Sequence, residues 1–190
     1  MRKLMVSLFA ALLLPLWASA QTPSNEVRIG WGDPLFETAV YYNNSTKTGY
    51  HYSGHIFAEY QRNLLGWLGV GFETDFESVS WTTVKEGDKG NYFNLSFFPT
   101  VRFTYFRKGM VTMYSGLGLG VNINGGTETD YRGRKTICAP LVDITAYAIS
   151  LNRGNFFGTF EIGALNAVNG KNEIFMAGSR LLAISLGYRF

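Results

Sequence analysis

Along most of the chain, apolar residues and small or polar residues alternate one for one. A period of two marks strands whose two faces meet different surroundings. The last segment is the clearest: Leu182, Ile184, Leu186, Tyr188 and Phe190 fall on one side, with Ala183, Ser185, Gly187 and Arg189 on the other. In 26–32, Val27, Ile29 and Trp31 oppose Arg28, Gly30 and Gly32. In 51–61, Tyr52, Ile56, Ala58 and Tyr60 oppose His51, Ser53, His55, Glu59 and Gln61. In 64–77, Leu68, Val70, Phe72 and Phe76 oppose Gly69, Gly71, Glu73 and Asp75. In 91–106, Leu95, Phe97, Val101, Phe103 and Tyr105 oppose Asn94, Ser96, Thr100, Arg102 and Thr104. Segment 111–123 sets Val111, Met113, Leu117, Leu119, Val121 and Ile123 against Thr112, Tyr114, three glycines and Asn122. In 140–151, Val142, Ile144, Ala146 and Ala148 oppose Asp143, Thr145 and Tyr147, and in 156–166, Phe156, Phe160, Ile162 and Ala164 oppose Thr159, Glu161 and Gly163. The pattern predicts eight strands.

The connections alternate as well. Gln61–Leu65, Arg107–Met110 and Asn152–Asn155 are tight and rich in turn residues, whereas Asp33–Tyr50, Val79–Gly90, Asn124–Ile137 and Val168–Glu173 are mostly longer and polar. All long connections then lie at one end, and all short turns and both termini at the other. The predicted fold is all-β, an eight-stranded antiparallel up-and-down transmembrane β-barrel with short periplasmic turns and longer external loops.

Charge location decides which face meets lipid. Arg28, Glu59, Glu73, Asp75, Arg102, Asp143, Glu161 and Arg189 all share the small, polar face with the glycines. A soluble barrel would turn that face to water. Glycines crowded among polar residues instead suit a narrow interior, and a closed barrel leaves no unpaired edge in hydrocarbon. Trp31, Tyr52, Tyr60, Tyr105, Phe156 and Tyr188, toward strand ends, supply two interfacial girdles.

Composition narrows the class further. Aromatics make up 16% of 190 residues and charged residues only 16%, which argues against disorder and against a coiled coil. Met1–Ala20 pairs Arg2 and Lys3 with an apolar run and ends Ala18-Ser19-Ala20, the pattern of a secretory signal peptide, leaving 21–190 as the barrel domain. Without Arg2 and Lys3 the 17 basic residues fall to 15, against 14 acids, so the mature chain is about +1 and has no basic footprint for nucleic acid. Cys138 is the only cysteine, so neither an internal disulfide nor a multi-cysteine metal site is available.

The leader, the eight alternating segments and the ending Ser185-Leu186-Gly187-Tyr188-Arg189-Phe190 resemble small outer-membrane β-barrel proteins of the OmpX and OmpA-transmembrane type, and more closely those of Bacteroidetes. The resemblance covers 26–190. It implies location in a Gram-negative outer membrane, lipid and lipopolysaccharide as neighbours, and no cofactor. It also implies that Tyr188 and Phe190 serve as the signal read by the outer-membrane assembly machinery.

Five acids and three arginines in one narrow lumen must be paired or neutralised, and an eight-stranded interior is only wide enough for side chains to fill it. The expectation is an ion-paired plug, with a narrow pore as the alternative; Tyr114, Tyr147 and Trp67 on the same face favour closure. A second alternative is a lipid hydrolase. His51, Ser53 and Glu59 sit at odd positions of one strand and so face one way, and a serine activated by histidine and oriented by a carboxylate is hydrolase chemistry. Lipid A deacylases resemble the chain in being eight-stranded barrels with His-x-Ser on a strand. The likeness is partial: Gly54 stands where that family has Asn, and Leu65 where it has a carboxylate. The parity also points His51 and Ser53 inward, whereas those enzymes face lipid.

His51 and His55 are ~13 Å apart on a strand, too far to ligate one metal ion together. Arg132, Arg134 and Lys135 in Thr127–Lys135, with Lys85–Lys89, would lie outside, where they could touch lipopolysaccharide phosphates or an extracellular ligand. The long first connection, with Leu35, Phe36, Val40, Tyr41 and Tyr42, either folds over the barrel mouth or forms a short helix. The expected role is structural or interactive, through the external loops.

Overall fold

The structure, a computed structural model, describes residues 24–34, 38–43, 46–83, 89–126, 136–167 and 180–190. These form β1 (Ser24–Pro34), β2 (Thr38–Asn43), β3 (Thr46–Asn63), β4 (Leu68–Thr83), β5 (Lys89–Lys108), β6 (Val111–Gly126), β7 (Thr136–Arg153), β8 (Phe156–Ala167) and β9 (Arg180–Arg189). No helix occurs among the described residues. The strands run in the order β1-β9-β8-β7-β6-β5-β4-β3-β2, all neighbours antiparallel, and β1 also pairs with β3. That pairing, from Ser24↔Asn63 to Gly32↔His55, closes a barrel of eight strands, as the alternation predicts.

The ninth strand corrects the reading of the first long connection. β2 pairs only with the upper part of β3, from Thr38↔His51 to Asn43↔Thr46. It is neither a helix nor an irregular loop. Thr38, Val40, Tyr41 and Tyr42 are β-branched or aromatic residues that favour strands, and β3 reaches past the barrel closure to partner them. Strand lengths are correspondingly uneven: β3, β5 and β7 have 18, 20 and 18 residues, while β1, β8 and β9 have 11, 12 and 10.

At the other end the turns are tight. Gly109-Met110 joins β5 to β6 and Gly154-Asn155 joins β7 to β8, with φ of 57° at Gly109 and 62° at Gly154. Left-handed backbone of this kind suits two-residue hairpins and costs glycine nothing sterically.

Register shifts at four places change the parity of the faces: one lies between β1 and β9, where Leu181 is the extra residue, and three lie on β3, β7 and β5. On β3, Ser53 and Gly54 stand where β4 has only Ser78, with Gly54 at φ 81°. On β7, Ala146 is one residue too many for both neighbours, since the Thr145–Tyr147 interval faces consecutive Gly163 and Ile162 on β8. On β5 the extra residue is Tyr105. An inserted residue flips every side chain beyond it relative to simple alternation.

Candidate functional site: the barrel interior and its outer wall

The wall is inverted relative to a soluble protein. Leu186 is 76% exposed and Ile29 and Leu119 are 66% exposed, while Glu73 and Asp75 are 1% exposed. Of the aromatics expected in the girdles, Trp31, Tyr60, Tyr105, Phe156 and Tyr188 are exposed on the outside; Tyr52 lies among side chains outside the described set.

Inside, arginines hold carboxylates in three tiers. Nearest the long-connection end, Arg180 reaches from β9 to Glu73 (2.5 Å) and Asp75 (3.1 Å) on β4 and to Asp143 (3.3 Å) on β7. His55 joins this tier, with Nδ1 2.7 Å from Asp75 Oδ1 and Nε2 3.5 Å from Glu77 Oε1. In the middle, Arg28 meets Glu59 and Glu161, each at 2.5 Å, and Glu73 at 3.4 Å. The Tyr114 hydroxyl donates to Glu161 at 2.6 Å, and Thr100 donates to Glu59 at 2.8 Å. Nearest the short turns, Arg102 bridges Glu26 (2.8 Å) and Glu59 (2.9 Å), while Arg189 pairs with Glu26 at 2.7 Å.

Aromatic rings fill the space between tiers. The guanidiniums of Arg180 and Arg28 lie 4.5 and 5.3 Å from the centre of the Phe57 ring, and that of Arg102 lies 4.3 Å from the Tyr114 ring centre. Phe98, Ala139, Leu141 and Leu165 form a buried apolar cluster beside the network. Among the described residues, one void of about 10 Å³ lies beside Arg28, Glu59 and Tyr114 and another beside Asp143, Glu161 and Arg180. Each has room for about one water molecule.

All eight lumen charges named from the sequence point inward. Seven are buried in the network, and Arg189 lies at the mouth, its side chain 29% exposed. Sequence reasoning missed Glu26, Glu77 and Arg180. The first two follow from parity, sharing a face with Arg28 and with Glu73 and Asp75. Arg180 does not, because an irregularity between Asp33 and Pro34 in the β1–β9 register turns it inward.

Several face assignments are overturned. Ser53 is exposed, whereas Glu59 is buried among Arg28, Arg102 and Thr100, because the Gly54 bulge lies between them. The Ser53 hydroxyl donates to the Gly54 carbonyl and accepts from the Ser78 N–H, so its near neighbours are backbone. The strand therefore does not bring Ser53 and Glu59 to one face. The backbone of His51 pairs with Thr38 and Ser80, and its side chain lies outside the described set. Tyr147 faces outward and Ala148 inward at 0% exposure, because Ala146 is a bulge. Trp67 belongs to the turn before β4 and stacks on the outward Phe103, ring centres 6.5 Å apart, so it lines the outside rather than the lumen.

Tyr188 and Phe190 stack on each other outside the barrel, and Tyr188 meets Phe156 edge-on. Cys138 is an exposed free thiol on β7. No group of three His, Cys, Asp or Glu able to hold a metal occurs among the described residues. The expected leader 1–20 and the basic segments 85–88 and 127–135 lie outside the described residues.

No protein-family model matches the sequence, and neither does any curated protein. The fold is similar to that of Ail, the attachment invasion locus protein of Yersinia pestis, solved in complex with the heparin analogue sucrose octasulfate. That alignment has a TM-score of 0.50 and 13% identity, covering 90% of this chain and 100% of that one. The N-terminal β-barrel domain of Pseudomonas aeruginosa OprF aligns over 89% of this chain and 100% of its own, with 13% identity and a TM-score of 0.49. The chain thus shares with Ail the fold of a closed antiparallel β-barrel.

Proposed function

We propose that the protein is an integral β-barrel of a bacterial outer membrane, of the OmpX-like kind, which acts through its long-connection end while its packed interior keeps the barrel closed. One observation carries this reading: the outer wall is apolar and every described acidic side chain is inside. In water that arrangement would expose a continuous belt of leucine, isoleucine and phenylalanine, far beyond the apolar patches that soluble monomers carry. In a bilayer it is the arrangement the solvent demands.

The role is structural or adhesive rather than enzymatic, since the interior is occupied by its own ion pairs and Ser53 is held by backbone groups. The basic residues Arg132, Arg134 and Lys135 are suited to polyanions, with lipopolysaccharide phosphates the nearest. Ail, a barrel of the same fold, was crystallised with a sulfated polyanion analogue. Cell fractionation tests the reading. The protein should sediment with outer membranes, resist extraction by salt, and migrate differently on a denaturing gel with and without heating. Recovery in the soluble periplasmic fraction would overturn it.

A further inference from the structure

Among the described residues, the exposed charged side chains all carry one sign. All seven acidic side chains described are buried, so no acidic side chain is exposed among the described residues. The four exposed basic side chains described, Arg62, Arg107, Lys108 and Arg153, all lie at the short-turn end. Three of them sit one to a turn: Arg62 beside the β3–β4 turn, Lys108 beside β5–β6, and Arg153 beside β7–β8.

Strand parity points these three outward. Arg62 follows the outward Tyr60, with Gln61 and Asn63 buried on either side. Arg153 follows Leu151, which is 57% exposed, and Lys108 follows the exposed Phe106. Each has an exposed apolar neighbour at the rim: Leu64 for Arg62, Met110 for Lys108 and Phe156 for Arg153. A cation beside an apolar anchor, at the border of a lipid-facing wall, matches a lipid with an anionic headgroup: the acyl chains meet the wall and the phosphate meets the cation. A soluble polyanion would not need the apolar half of this arrangement.

We infer that the short-turn rim is a collar for anionic phospholipids, with Arg62, Lys108 and Arg153 each contacting a headgroup phosphate. The inference rests on the membrane reading above. Guanidinium matches phosphate with two parallel hydrogen bonds, so the two arginines contribute more selectivity than the lysine. A basic residue near an anionic membrane surface favours binding by roughly fivefold, less at high salt.

The test uses the protein inserted into phosphatidylcholine vesicles carrying spin-labelled phosphatidylglycerol or spin-labelled phosphatidylcholine. The motionally restricted fraction of each label gives a selectivity ratio. The expected ratio favours phosphatidylglycerol by about threefold to fivefold at low ionic strength and falls toward one at high salt. The combined substitution Arg62→Gln, Lys108→Gln and Arg153→Gln should bring it to about one. If that variant does not insert, each single substitution should lower the ratio in part. A wild-type ratio of one, or a ratio unchanged by the substitutions, overturns the collar. Insertion is scored separately by heat-dependent gel mobility. Failure of the wild type to insert would sink the membrane reading and the collar together, whereas insertion without lipid preference sinks the collar alone. Should the substitutions abolish sedimentation with peptidoglycan while leaving the lipid ratio untouched, the rim serves an acidic wall polymer and the lipid assignment is wrong.

Discussion

Arg28 on β1 and Glu59 on β3 stand directly opposite each other in the strand register, and their side chains meet inside the barrel at 2.5 Å. They do so at the pairing that joins β1 back to β3 and closes the wall. This buried ion pair therefore also clamps the seam, linking residues 31 apart in sequence.

Removing either partner should destabilise the barrel unequally. Arg28 touches Glu59, Glu161 and Glu73, so its loss takes from Glu161 its ion-pair partner and leaves Glu59 and Glu73 with Arg102 and Arg180 alone. Glu59 is shared by Arg28 and Arg102, which keep Glu161 and Glu26 as other partners. Breaking a buried pair by deleting one member costs roughly 3–5 kcal/mol. Arg28→Met should fall at the top of that range and Glu59→Gln below it. Urea unfolding in detergent micelles, followed by tryptophan fluorescence, would give both midpoints. A Glu59→Gln midpoint below that of Arg28→Met would contradict the ordering.

A second dependence is steric. The Phe57 ring lies against the backbone of Gly30 so closely that a Cβ there would overlap the ring and crowd the Ile184 carbonyl. Phe157 against Gly187 and Phe98 against Gly118 repeat the arrangement. Overpacking of this kind costs typically about 1–3 kcal/mol. Gly30→Ala should lower the unfolding midpoint accordingly, and adding Phe57→Leu should recover part of the loss by clearing the ring. Equal losses in the single and double variants would show that the contact with Phe57 is not the cause.

How far the sequence could be read depends on the length scale. Alternation made the strands, their faces and the lumen charges legible, because a period of two has only two phases and lipid tolerates only one of them. It failed where one residue broke the phase. Gly54 carried a visible warning, since glycine within a strand often marks a bulge; Ala146 carried none, because alanine suits either face. β2 was hidden by its place in an otherwise polar connection. Arg180 was beyond reach: its inward turn comes from a register irregularity with β1, and its three carboxylates lie on β4 and β7, more than 30 residues away.

The Ser53 geometry makes a prediction about lipids. With Glu59 facing the lumen and the Ser53 hydroxyl engaged by Gly54 and Ser78, the chain should leave acyl chains intact. Mass spectra of lipid A and phospholipids from cells with and without the protein should be indistinguishable, and Ser53→Ala should change neither. A missing acyl chain that returns with Ser53→Ala would restore the hydrolase reading.

The final prediction concerns transport. A hydrated ion crossing the barrel would have to pass three tiers in which Arg28, Arg102 and Arg180 are each bonded to at least two carboxylates. The two voids beside Arg28 and Arg180 measure about 10 Å³ apiece, about one water each. Opening a path would mean separating several buried ion pairs at once, at roughly 3–5 kcal/mol for each one broken. Such openings would be rare and brief. In planar bilayers the wild-type protein should therefore add no stepwise conductance once protease protection has verified its insertion. Steady unitary steps from the intact barrel would mean that the network yields far more readily than its geometry implies, and the closed plug would have to be abandoned.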